Sequence, residues 1–291
     1  MGAADVVPGV SGGTMAFILG IYTQLIDAVR SFDTKWVQHV FKLEMKPVLQ
    51  RPHFGFLIPL VIGIFCALLF FTRVIPLHTL LHSHPELIYG LFFGLIVGSV
   101  MALLPEIGRF DKGAGFFLVI GILLGWLVVN LVPVNTPDAA WFIFLCGMLS
   151  ISAMLLPGIS GSFILLILRK YDTILGAIGQ LNLMVLIPFG LGALTGLIVF
   201  SRILSWLLAH YYRVMLQVII GILIGTLWII WPFQVRKYEE IHNKERLISS
   251  TPYWPDTWNE TVLYALFMVL IGIAFVLILH AWSKQLDKQN G

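Results

Sequence analysis

Charge is what this 291-residue sequence has least of. Only 11% of its residues are Asp, Glu, Lys or Arg, where a soluble globular domain carries about 25%. Eighteen basic against fifteen acidic residues leave a formal net charge of +3, too weak and too dispersed for a nucleic-acid footprint. Cysteine is scarce as well. Cys66 and Cys146 both sit inside apolar runs, where they read as packing residues, so a secreted disulfide scaffold is excluded. The chain opens on Met1-Gly2-Ala3 without a basic segment, so no cleavable signal is expected. No HExxH, nucleophile elbow with triad partners or Walker motif occurs, and acids and histidines at membrane depth are too few for hydrolysis; a lipid-phosphate enzyme is a distant third reading and no cofactor is implied. His78, His82 and His84 share one short loop, but without a Cys or carboxylate partner they read as solvated side chains, and no metal site is expected. What is abundant is apolar: 58% of residues are hydrophobic and the mean hydropathy is +0.92. The sequence is that of an all-α polytopic integral membrane protein.

Uncharged runs extend over residues 6–26, 54–72, 87–105, 113–137, 139–168, 173–201, 214–235 and 261–279. A helix needs about 20 residues to cross the hydrocarbon core, and each run is 19 or longer. Two of them are broken. The first carries Pro8-Gly9 and then Gly12-Gly13; the fifth carries Pro157-Gly158 and then Gly161. Proline removes an N–H and glycine releases the backbone, so no smooth helix runs through either. In lipid such a break survives only where protein or water satisfies the freed groups, which predicts two re-entrant or broken helices. Elsewhere, glycines spaced by four (Gly90, Gly94, Gly98; Gly121, Gly125; Gly221, Gly225) predict close helix packing. If both broken segments re-enter, ten basic residues fall on the side of the termini and seven on the other, which puts both termini in the cytoplasm. The other side holds an aromatic-rich loop with Tyr253, Trp254 and Trp258, read as an interfacial belt.

Self-similarity organises the rest. Residues 4–29 align without gaps on 153–178 and share 9 of 26 positions. Residues 58–73 align on 187–202, including Pro59 with Pro188 and Arg73 with Arg202; Gly94, Gly98 and Pro105 fall on Gly221, Gly225 and Pro232. The first repeat is read as residues 1–138, with a re-entrant segment at 4–29 and spans at 54–73, 87–105 and 114–134. The second is read as 139–291, with a re-entrant segment at 139–178 and spans at 184–208, 214–232 and 261–281. Three crossings behind each break give the halves opposite orientation, the inverted-repeat plan of secondary transporters whose site lies at the repeat interface.

A break that opens onto a helix presents backbone N–H groups and small hydroxyls, which suits an anion. The candidate donors are Ser11, Gly12, Gly13 and Thr14 in the first half and Ser160, Gly161 and Ser162 in the second, with Pro8, Gly9, Pro157 and Gly158 forming the motif backbone. Simple helix capping is the competing reading. Arg73 and Arg202, each expected to end its helix, are candidates to clamp a phosphate or to snorkel to headgroups. Asp5, Glu106, Tyr22 and Tyr171 are candidates for a coupling or headgroup role. A small-anion channel or transporter using the paired helix ends as its filter is the alternative.

The strings DVVPGVSGGTMAFILGIY and SAMLLPGISGSFILLILRKY resemble the bacterial polyprenyl-phosphate transporter family, and the resemblance covers essentially the whole chain. It implies translocation of undecaprenyl phosphate from the outer to the inner leaflet of the cytoplasmic membrane, for cell-wall and surface-glycan synthesis. The family motifs fall on Asp5, Pro8, Gly9, Ser11, Gly12, Gly13 and Thr14, and on Pro157, Gly158, Ser160, Gly161 and Ser162. The implied partners are undecaprenyl phosphate and membrane lipids, with a proton or sodium ion as coupling candidates. Two departures stand out. Family members carry a helical stretch before the first motif, so this start is truncated or the first hairpin lacks its leading arm. Arg169 and Lys170 also follow the second motif where the first has Gly20 and Ile21.

Overall fold

A computed structural model describes residues 1–2, 12–32, 34–71, 80, 83–108, 112–131, 136–241 and 244–290. Its helices, in chain order, are α1 (Gly12–Ile18), α2 (Tyr22–Arg30), α3 (Thr34–Phe41), α4 (Met45–Gln50), α5 (Phe54–Leu69), α6 (Pro85–Leu103), α7 (Lys112–Val129), α8 (Ala140–Leu155), α9 (Gly161–Ile167), α10 (Tyr171–Gln180), α11 (Leu183–His210), α12 (Tyr212–Thr226) and α13 (Glu260–Asn290). Single 3₁₀ turns, Leu104–Ile107 and Leu227–Ile230, extend α6 and α12. Four of the described helices are long and apolar enough to cross a membrane, within Pro85–Ile107, Leu183–His210, Tyr212–Ile230 and Glu260–Trp282; three shorter apolar helices are Phe54–Ala67, Gly115–Val129 and Ala140–Leu155.

Local chemistry sets several boundaries. Pro85 takes the first turn of α6, where its missing N–H costs nothing, and Glu86 follows at the positive helix end. Asn182 caps α11 by accepting from Met184 N at 3.2 Å, and Asn259 caps α13 by accepting from Val262 N at 3.0 Å. The all-helical expectation needs one correction. Gln234–Ile241 and Lys244–Pro252 form an antiparallel hairpin, β1 and β2, within what the sequence offered as an aromatic loop. This segment has too few apolar residues to join a helix bundle, and antiparallel pairing satisfies its backbone locally.

Packing follows the glycines. An added Cβ at Gly94 or Gly98 would run into the α13 backbone at Val269 or Ile273, and one at Gly221 or Gly225 would meet the α7 backbone at Leu118 or Ile122. Each half thus lends its glycine-rich helix, α6 or α12, to the final helix of the other half. These two helices form the centre of the molecule: 61% of the apolar window of each is buried, against 11% for α11 and 22% for α13. The outer helices instead expose large side chains such as Ile187, Leu191 and Leu194 on α11 and Phe267, Leu270 and Ile278 on α13, a surface suited to lipid rather than water. α8 lies on α11 through Gly147, Gly192 and Gly196, whose added Cβ atoms would strike Phe189, Phe144 and Met148.

Candidate functional site

The second break is laid out in full. α8 stops at Leu155, and Leu156 takes φ −81°, ψ 129°, the extended state that a following proline imposes. Gly158 has φ +87°, a left-handed conformation open to glycine at little cost. The chain then doubles back. Ser150 Oγ on α8 donates to Gly161 O at 2.9 Å, which brings the first turn of α9 against the last turns of α8. Gly161 has no positive φ; glycine is required there because an added Cβ would stand 2.6 Å from Ser150 O and 2.8 Å from Ser150 Oγ. Ser150 escaped the sequence reading, although a hydroxyl inside an apolar run was its visible signal.

Ser160 occupies the N-cap position of α9 but makes no capping hydrogen bond. Its hydroxyl instead lies 2.7 Å from that of Ser162. Capping therefore does not explain these serines. Two hydroxyls stand side by side at the start of a helix whose first N–H groups lack a side-chain cap. α1 and α9 are each seven residues long, so the helix dipole at each start is weaker than that of a long helix.

The first break repeats the backbone plan beyond its motif. Asp5, Pro8, Gly9 and Ser11 lie outside the described residues, as do Arg73, His78 and His82. Gly12, Gly13 and Thr14 open α1 and are buried. After α1 the chain turns through Gly20 at φ +71°, and after α9 through Arg169 at φ +51°. The bonds closing these turns are equivalent: Gly20 N to Phe17 O and Ile21 N to Ala16 O, matched by Arg169 N to Leu166 O and Lys170 N to Leu165 O, at 2.8–3.1 Å.

The two breaks meet. Gly158 N donates to Thr14 Oγ1 at 2.8 Å, buried and 144 residues apart in the chain. Tyr22 OH donates to Leu155 O, also at 2.8 Å. Two first-half side chains thus satisfy backbone groups on either side of Pro157, where the helix break has freed them. Thr14 and Tyr22, candidates for headgroup contact, direct their hydroxyls at the partner motif. Tyr171, the repeat-mate of Tyr22, packs beside Ile143, Cys146, Leu165 and Ile174.

Charged groups are distributed unevenly. Arg202 does not end its helix: α11 continues eight residues to His210, about 12 Å at 1.5 Å per residue, because the sequence after Arg202 stays apolar. The arginine is half-buried and forms no hydrogen bond or ion pair among the described residues. Lys170 is only 3% exposed; its Nζ donates to Asp138 Oδ1 at 2.5 Å and to Thr136 O at 3.0 Å. Glu106 lies away from the breaks. Its Oε1 is 3.7 Å from His280 Nε2, beside Arg213, which donates to Ile107 O at 3.1 Å. Gly158 instead meets Ile222 and Thr226, about 14–20 Å farther along α12 from Arg213.

Comparison with known proteins gives a consistent picture. Residues 1–248 match a family described as undecaprenyl phosphate translocase-like. A polyprenyl-phosphate transporter of Vibrio cholerae serotype O1 is 36% identical over 298 residues, covering 98% of this chain and 94% of that protein. A polyprenyl-phosphate transporter of Staphylococcus aureus is 32% identical over 253 residues, covering 80% of this chain and 83% of the relative. No solved structure matches the chain.

Proposed function

The chain belongs to the undecaprenyl phosphate translocase-like family, and from that premise we propose that it moves undecaprenyl phosphate from the outer to the inner leaflet of the bacterial cytoplasmic membrane, returning the lipid carrier to envelope glycan synthesis. As a member of this family it is a membrane protein and a transporter, not an enzyme. The observation that carries the reading is the junction of the breaks, where Thr14 holds Gly158 and leaves the Ser160 and Ser162 hydroxyls turned to each other instead of to the helix. A phosphate accepts from such hydroxyls and from uncapped N–H groups, and Arg202 supplies a charge with no protein partner among the described residues. The isoprenoid tail stays in lipid, so no large polar cavity is needed.

The exchange of partners between halves, α6 with α13 and α12 with α7, supports two repeats inverted about an axis in the membrane plane. On this reading both termini are cytoplasmic.

The test is binding and flipping in proteoliposomes, with polyprenyl phosphate compared against inorganic phosphate. Selective handling of the lipid is expected. Equal handling of inorganic phosphate, with conductance, would instead identify an anion channel. Arg202→Ala should weaken lipid-phosphate binding about 10- to 100-fold, since a charge-assisted hydrogen bond contributes about 1.5–3 kcal/mol. Arg202→Lys should recover part of it. Unchanged binding in both variants would mean that the arginine serves only lipid headgroups.

A further inference from the structure

The two halves differ most in the connection that leads from α2 to α5 in the first and from α10 to α11 in the second. α10 and α11 are joined by residues 181–182, whereas residues 31–53 intervene between α2 and α5. We propose that this insertion, carrying α3 and α4, is an arm that lies on the membrane surface and binds anionic lipid headgroups.

The arm is built rather than loose. The chain turns between its helices through Leu43 at φ +55°. Trp36 Nε1 on α3 donates to Val48 O on α4 at 3.1 Å, and His39 Nδ1 lies 2.5 Å from Glu44 Oε2. Its base is fixed at the start of an apolar helix: the Phe32 ring contacts Trp36 at 5.1 Å and Phe54, the first residue of α5, at 6.1 Å. The arm therefore starts at the level where α5 enters the membrane.

Within this small hairpin the fold leaves several large apolar side chains outside. Phe41 is 85% exposed, Leu43 81%, Met45 63% and Leu49 60%. Lys35, Lys42, Lys46 and Arg51 are exposed among them, while Glu44, the acid among the arm's described residues, is engaged by His39. Bulky apolar groups interleaved with lysines form an interfacial surface: the apolar groups reach the acyl boundary while the lysine stems extend to headgroups. A protein partner would need a pocket that is both apolar and acidic. An anionic leaflet offers acyl chains under negative phosphates over any area. The charge pattern fits the leaflet.

The test uses the full chain with Cys66 and Cys146 replaced by alanine, shown to retain transport, and a single environment-sensitive fluorophore on Phe41→Cys or, separately, Met45→Cys. The protein is reconstituted in vesicles of phosphatidylcholine alone or of phosphatidylcholine with phosphatidylglycerol. Both probes should be blue-shifted and quenched by brominated acyl chains in the anionic vesicles. The shift should weaken in phosphatidylcholine alone and when Lys35, Lys42, Lys46 and Arg51 are all changed to Gln. Water-like emission from both probes in both vesicles would overturn the proposal. So would burial that ignores phosphatidylglycerol and grows with protein density, because the occupant would then be a second copy of the chain.

Discussion

The two halves share the turn that follows each short helix and divide the labour of side chains. After α1 and after α9 the chain makes the same turn with equivalent hydrogen bonds. Yet the first half contributes Thr14 and Tyr22 to the second, while the mate of Thr14 is Phe163, which has no hydroxyl to return. The second half ties its own turn to the connection before α8, through Lys170 to Asp138 and Thr136, where the first has Ile21. A repeated backbone thus does not imply repeated chemistry. One break acts as the clasp, and the other presents hydroxyls.

The most severe test of this division is Gly158→Ala. A left-handed backbone costs a residue with a Cβ about 1–2 kcal/mol. The methyl would also stand 3.2 Å from both Ile222 Cγ2 and Thr226 Oγ1, and overpacking adds about 1–3 kcal/mol. Thermal unfolding in detergent should drop clearly and transport should be lost. A wild-type unfolding temperature would show that the second break is not held rigidly.

Thr14→Val should come next. It strands a buried N–H at Gly158, a loss of about 1–3 kcal/mol, and should lower both stability and lipid flipping. Thr14→Ser, which keeps the acceptor, should restore most of each. If valine and serine behave alike, the clasp is not a hydrogen bond and the asymmetry between the halves loses its meaning.

A smaller effect is expected at Asp138. Its carboxylate is 80% exposed, so Asp138→Asn loses a largely solvated partner and leaves Lys170 its bond to Thr136 O. About 1–2 kcal/mol of unfolding stability should go, at the low end of charge-assisted bonds, with polyprenyl phosphate affinity unchanged. Altered lipid affinity would move Lys170 from anchoring to substrate contact.

The smallest is Gly20→Ala. Nothing lies within 4 Å of the added Cβ, so only the backbone term of about 1 kcal/mol remains, and transport should persist. Arg169 already adopts the same turn without glycine. A loss as large as that of Gly158→Ala would mean that the two turns are not equivalent.

Much of this was legible in the residues. Pro157-Gly158 marks the break after α8, and glycines at spacing of four mark the faces that pack, because both effects act through the local backbone. The correspondence of the Gly20 and Arg169 turns also follows from the aligned repeat. The clasp was not legible, since Thr14 and Gly158 are not repeat-mates and alignment pairs only equivalent positions. Ser150 has Met1 opposite it in the alignment, so no repeat signal drew attention to it. The arm of α3 and α4 was not legible between the apolar runs 6–26 and 54–72, because its helices are short and its order comes from Trp36 and Phe32 contacts across it.

By itself the sequence determined the membrane class, the internal similarity of its halves and the place where α8 must stop, since apolar run length, proline and glycine act on their own neighbourhood. Only the tertiary structure decided what happens there: which hydroxyl reaches Leu155 O, Gly158 N or Gly161 O. A backbone group freed in an apolar interior must find a partner, but that partner is chosen by distance in space, and distance in space is what helix packing sets.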